Sequence, residues 1–260
     1  MNQLYLIPNY NNIETSLKLA SEYGAVFEYN DFYLPSMLDD DMQLNERIKF
    51  YQQLDRDRSK DTLHASFFDI TLHSSDPKIR EISEQRIYQC MDVADKLGIL
   101  AIIIHTNCIA NFNVPAYHKQ WVDMNEAFVR KALIKYPNLN IYMENMFDTS
   151  PLLLSELAKR LKDCSRFGVC FDVAHANLSS LPMEEWVKSL LPFVRHLHLN
   201  DNKGDADTHD IPGTGNIDWQ KMTSLFKETN ISALLEISDV TAQKTALSVM
   251  KENMIFPLFI

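Results

Sequence analysis

Glycine is scarce here: six residues in a chain of 260. A doubly wound sheet that binds a dinucleotide carries a GxGxxG turn after its first strand, where the backbone must approach the pyrophosphate closely. No such turn follows the first apolar run, so that architecture lacks support. Cysteine is sparse as well. Cys90, Cys108, Cys164 and Cys170 form no CxxC pair and are read as reduced core thiols. No apolar run approaches the roughly 20 residues that span a bilayer, so no membrane partner is expected. The opening residues Met1-Asn2-Gln3-Leu4-Tyr5 show no basic segment ahead of a long apolar stretch, and a cytoplasmic location is the expectation. Positive charge is short too. Lys and Arg number 25 against 35 Asp and Glu, a net charge of -10 with histidine neutral. Such a surface repels a phosphate backbone at long range and disfavours nucleic acid as a partner.

What is present is a mixed-charge chain with 46% hydrophobic residues, enough for a sizeable core. No low-complexity stretch or linker divides it, so one domain over residues 1–260 is expected. Short β-branched runs alternate with longer stretches of helical periodicity. Leu4–Pro8 precedes a helix over Ile13–Tyr23, and Ala25–Tyr29 precedes one over Leu44–Leu54. Thr62–Phe67 is followed by Asp76–Leu97, and Leu100–His105 by Lys119–Tyr136. Leu139–Asn145 leads into Pro151–Leu161, and Gly168–Asp172 into Pro182–Leu191. Val194–Asn200 and Asp218–Thr229 form the seventh pair, Ala233–Ile237 and Ala242–Glu252 the eighth. Pro151 and Pro182 are placed at the first helical position, where a missing N–H costs nothing. Eight strand–helix units in about 250 residues predict an α/β fold, a (β/α)₈ TIM barrel.

In such a barrel the chemistry collects at the C-terminal ends of the strands. The residues there are unusual. The third and fourth runs carry His64 and His105, the fifth Glu144-Asn145, the sixth Asp172 with His175 three residues on. The seventh carries His196, His198 and Asn200 on one face, and Arg195, Leu197 and Leu199 on the other. Glu236 closes the eighth. The loop Gly204–Gly215 holds Asp207 and His209 together with half of the glycines, and is read as a site-forming loop. Any one of these residues alone is more simply a helix cap or a hydrogen-bonded histidine. Five of the eight histidines at strand ends or in the loops behind them is a pattern that chance does not explain well. His73 and His118 are read as surface or loop residues, His196 as deeper packing. Several buried carboxylates together are costly without a cation. Carboxylate and imidazole donors suit manganese, cobalt, magnesium or zinc, so a divalent metal cofactor is expected.

The segments His64-Ala-Ser-Phe-Phe-Asp-Ile, Glu144-Asn145, Asp172-Val-Ala-His175, His198-Leu-Asn-Asp-Asn-Lys-Gly204, Asp207-Thr-His209 and Pro212-Gly-Thr-Gly215 resemble the xylose-isomerase-like TIM-barrel superfamily. It joins sugar and sugar-phosphate isomerases and epimerases with endonuclease IV. The resemblance implies two readings. In the epimerase-type members one metal sits between Glu144, Asp172, His198 and Glu236, and the two glutamates form the acid/base pair that moves a proton beside a carbonyl through an enediolate. His175 would then touch substrate. In endonuclease IV three zinc ions are held by nine residues, and His64, His105, Glu144, Asp172, His175, His198, Asp207, His209 and Glu236 match them all, implying metal-activated water and a phosphodiester. The departures favour the sugar side. Glu144-Asn-Met-Phe-Asp148 stands for Glu-Asn-Thr-Ala-Gly, Asp172-Val-Ala-His175 for Asp-Thr-Cys-His, and Thr208 for an arginine. No arginine-rich loop is present to grip DNA, and Asp31, Asp39, Asp40 and Asp41 give the second loop the wrong sign for phosphates. Phe67, Phe68 and Trp121 are candidates for the wall of a sugar pocket, with core packing the simpler role for the two phenylalanines. Lys203 is read as a solvated loop lysine. The expectation is a metal-dependent isomerase or epimerase of a small sugar, polyol or sugar phosphate, with the phosphoesterase as the alternative.

Overall fold

The computed structural model describes residues 2–258. Its first half comprises β1 (Leu4–Leu6), α1 (Ile13–Tyr23), β2 (Val26–Tyr29), α2 (Pro35–Leu38), α3 (Asp41–Gln52), β3 (Thr62–His64), α4 (Pro77–Leu97), β4 (Ala101–His105) and α5 (Pro115–Lys135). The second comprises β5 (Asn140–Glu144), α6 (Leu152–Arg160), β6 (Phe167–Asp172), α7 (Val173–Asn177), α8 (Met183–Leu190), β7 (Val194–Leu199), α9 (Trp219–Phe226), β8 (Ser232–Leu235) and α10 (Val240–Glu252). The strands close a parallel barrel in chain order, with β8 pairing back onto β1. The predicted TIM barrel is what the chain forms.

Local chemistry explains the punctuation. Asp40, Asp76, Asp218 and Asp239 each accept a backbone N–H at a helix start, satisfying donors the helix leaves open. Gly98 ends α4 with φ of 67°, a left-handed turn that a side chain would disfavour. β4 is buried along its whole length, as a strand covered by helices outside and side chains inside must be. The interstrand register then sets neighbours on the inner wall: His105 lies opposite Glu144, and Asp172 opposite His198.

Several boundaries differ from the expectation. α5 begins at Pro115, four residues before Lys119, because Pro115 occupies its first turn and proline is pre-set for that position. Pro151 and Pro182 are instead the N-cap residues of α6 and α8. The short helices α2 and α7 lie outside the sequence pattern; α7 starts because the Asp172 side chain accepts the backbone N–H of His175. All four cysteines are free, but Cys108 and Cys164 are only half-buried, so they are not core thiols.

His73 lies in the loop between β3 and α4, as expected, but it is not on the surface: it is 3% exposed, packed beside Tyr117 and under Gln120. His118 sits part-exposed on α5. Burial pushes the His73 pKa down to about 4, while the unfolded chain holds it near 6.5. Below pH 6.5 the unfolded state therefore binds a proton the folded state refuses, and stability falls as pH falls. Between pH 7 and pH 5 His73 should cost about 2 kcal/mol. Urea unfolding at both pH values is expected to show a smaller acid loss in His73→Phe by that amount; parallel losses in the two proteins would refute the assignment.

Candidate metal centre

The barrel brings all nine singled-out residues to one end. His64, His105, Glu144 and Asp172 are the last residues of β3, β4, β5 and β6, and His198 is the next-to-last residue of β7. Glu236 follows β8, its N–H bonded to the Leu199 carbonyl. His175 lies on α7, and Asp207 and His209 on the loop after β7. That loop is built around Asp201, whose buried carboxylate accepts from the backbone N–H groups of Asn202 and Gly213 and from the Trp219 indole. Gly215 passes so close that a Cβ there would stand 2.2 Å from the Asn202 carbonyl oxygen. His209 adopts φ of 49°, an uncommon state for a residue with a side chain.

The donors fall into three neighbouring groups. In the first, His105 Nε2 lies 2.9 Å from His64 Nε2 and 3.2 Å from Glu144 Oε2. In the second, His198 Nδ1 lies 3.2 Å from the same Glu144 oxygen and 3.4 Å from Glu236 Oε2. Asp172 joins it through Asn200, whose amide donates to Asp172 Oδ2 and Glu236 Oε2, each at 3.1 Å. In the third, His175 Nε2 and His209 Nε2 stand 3.4 and 3.3 Å from Asp207 Oδ2. Glu144 links all three, since its Oε1 is 3.2 Å from His175 Nδ1.

Ring orientation follows from the opposite nitrogens. Nδ1 of His64, His175 and His209 faces the carbonyl oxygens of Ala65, Asn145 and Glu236 at 3.0, 2.8 and 3.1 Å. A carbonyl only accepts, so Nδ1 donates, and in the neutral ring Nε2 turns a lone pair into the cluster. This is the arrangement that presents an imidazole to a metal. The chemistry of the donors agrees. Both oxygens of fully buried Glu144, Nδ1 of His198 and Asp207 Oδ1 make no well-formed hydrogen bond. Buried polar atoms left this way are costly, and a shared cation would satisfy them. His64, His105 and Glu144 form one such set, and His175, Asp207 and His209 another, with donor atoms within 4.8 Å of one another.

Without a cation, protons balance the carboxylates. Burial lowers the His209 pKa but is outweighed by Asp207 and Glu236, which lift it to about 10. His175 rises well above its usual value, burial again opposing and Asp172 and Asp207 prevailing. Glu236 is held down at about 2 against burial, chiefly by His198. Asp172 goes the other way. Burial pushes it up to about 7, opposed by His175 and reinforced by Glu236 and Glu144. Bound cations would displace these protons, since metal ligands act deprotonated.

The centre opens into a pocket of about 610 Å³. His64, His105, His175, Asp207, His209 and Glu236 line it, whereas Glu144, Asp172 and His198 are 0% exposed beneath. Phe67 and Phe68 face the pocket, with Tyr33 packed against both rings at a tilt. Trp121 does not; it is fully buried and donates to the Thr106 carbonyl, because β4–α5 packing, not the pocket, claims its ring. The acidic second loop also reads differently in three dimensions. Asp39 pairs with Arg86, Asp40 caps α3 and Asp41 lies in its first turn. Asp31 alone of the four lines the pocket, and it is matched by Arg47 at 3.0 Å. Lys203 is exposed, as expected.

Sequence reasoning missed Glu28. It sits in the apolar run of β2, fully buried, and touches His196 and His198. Its one signal was an acid at an inward position of a strand. Asn145, whose amide brackets the Asp172 backbone at 2.9 Å on both sides, was visible only as the partner of Glu144.

Relatives show the same frame. A solved D-tagatose 3-epimerase-like protein superposes with a TM-score of 0.75 at 19% identity, covering 97% of each chain. A protein of Thermus thermophilus, from crystals soaked with ZnCl2, gives 0.74 at 23% identity over 96% of this chain and 98% of its own. A probable endonuclease 4 of Mycobacterium leprae is 23% identical over 211 residues, 74% of this chain and 77% of that protein. The xylose isomerase-like TIM barrel family model matches residues 17–253. With its closed barrel and the match over nearly its whole length, this chain belongs to the xylose isomerase-like TIM-barrel family.

Proposed function

We propose that this chain, acting as one domain, is a metal-dependent phosphoesterase for a small phosphoester, its nine clustered residues holding up to three divalent cations. One observation carries the reading. Glu144 lies beneath the pocket floor with both oxygens free of hydrogen bonds, wedged between His64 and His105 on one side and His198 on the other. A carboxylate placed so is suited to bridge cations and poorly placed to reach a substrate carbon. Bound cations would supply Lewis acidity toward a phosphoryl oxygen and a water made nucleophilic at neutral pH. The histidine-rich groups favour zinc.

The chain's own residues do the rest. Asn200 holds Asp172 and Glu236 at a common spacing, and the carbonyls behind His64, His175 and His209 aim their rings. Arg47, already paired with Asp31, is the one lysine or arginine side chain among the described residues lining the pocket. The pocket volume suits a small ligand, and the net charge of -10 disfavours a DNA duplex. The relatives named as endonuclease 4 support phosphoester chemistry.

The sugar reading, a one-cation isomerase or epimerase using Glu144 and Glu236 as acid/base pair, stands second. Glu236 does line the pocket, and the Phe67–Phe68 wall offers an apolar surface to a sugar ring, in keeping with the epimerase-like structural neighbour. Elemental analysis of the unchelated protein, with turnover of a nitrophenyl phosphodiester and of a sugar panel, decides between them. Two or three zinc ions per chain with phosphodiester hydrolysis is the expected result. About one cation per chain with epimerisation would reverse the order.

A further inference from the structure

His198 is pinned differently from the other imidazoles of the centre. Its Nδ1 faces Glu144 and Glu236, and its Nε2 has no backbone carbonyl behind it but lies 3.0 Å from Glu28 Oε1. Glu28 comes from β2, a strand that gives none of the nine donors. It is fully buried in an otherwise apolar strand, Val26-Phe27-Glu28-Tyr29. Its Oε2 accepts the Thr62 hydroxyl at 2.6 Å and stands 3.2 Å from His196 Nε2, and His196 Nδ1 lies 2.6 Å from the Ser232 hydroxyl. Each support comes from a different strand, so the carboxylate is held from several sides. Burying a charge this deeply is costly unless it is paired, and an apolar residue would fill the space at lower cost.

We propose that Glu28 is a positioning residue of the centre: it fixes the ring and tautomer of His198, so that Nδ1 faces the cation shared with Glu144, Asp172 and Glu236. This rests on the metal-centre reading above. A carboxylate behind a metal-bound imidazole orients the ring and raises its donor strength, and its loss typically weakens metal binding about 10–100-fold. Glutamine in its place keeps the volume and can still accept from Thr62. Its amide, however, can donate to His198 Nε2 and so drive the ring proton to Nδ1, the side the cation needs.

The test is zinc alone, titrated into the metal-free full-length protein against a chromophoric chelator, for wild type, Glu28→Gln and Thr62→Val. In Glu28→Gln one zinc per chain should bind about 10–100-fold more weakly, with the remaining sites unchanged. Thr62→Val, which touches no proposed ligand, should weaken the same zinc less. Histidine ¹⁵N spectra of the zinc-loaded proteins should place the His198 proton on Nε2 in wild type and shift that signal in Glu28→Gln. If Glu28→Gln does not fold, Thr62→Val carries the test, and unchanged zinc affinity there overturns the proposal. A folded Glu28→Gln with wild-type affinity and an unshifted His198 signal overturns it too. A wild type that takes up no zinc would instead overturn the metal-centre reading on which it rests.

Discussion

Glu144→Gln is expected to empty two cation positions at once and to lower phosphodiester turnover by at least about 10³-fold, the scale of several kcal/mol of lost metal assistance. The side chain keeps its shape, so packing changes little. What changes is charge and donor pattern. An amide cannot bridge two cations, and its N–H₂ would confront His64, His105 and His198, whose nitrogens stand 3.2–3.7 Å from Glu144 Oε2. Elemental analysis and turnover measured on the same preparation check this. A variant with full metal content and near-normal turnover would show that Glu144 is not the bridge.

His105→Ala separates the two functional readings. Its Nε2 belongs to the group with His64 and Glu144, apart from the His198–Glu236 group. In a three-cation phosphoesterase the truncation removes one cation and with it most activity, at least about a hundredfold by the same arithmetic. In a one-cation isomerase His105 is a pocket wall, and epimerisation should fall by no more than a few-fold. Intact phosphodiester hydrolysis with one zinc fewer per chain would show that the cation at His64 and His105 is not needed for turnover, and undiminished epimerisation would favour the sugar reading.

Much of this was legible in the sequence because barrel chemistry is periodic. The alternation of short β-branched runs with helical stretches gave eight units, and closure in chain order followed from parallel right-handed crossovers. Strand-end position alone then marked His64, His105, Glu144, Asp172 and His198. Boundaries moved where a cap, not a propensity, decides: Pro115 starts α5 early, and the Asp172 side chain starts α7. The burial of His73 was not legible because nothing in its local sequence shows that α5 folds over its loop, with Tyr117 and Gln120 in contact.

Periodicity and residue identity are local properties of the chain, and they were enough to specify the barrel, the end at which the donors lie and their chemical types. How those donors group is settled in three dimensions. The interstrand register sets His105 beside Glu144 and Asp172 beside His198, and register is a relation between strands. Nor does the order of residues reveal that Glu28 on β2 backs His198 on β7, or that Asp39 pairs with Arg86. Such pairings cross the barrel or join separate helices, and they exist only once closure brings distant strands within reach of one another.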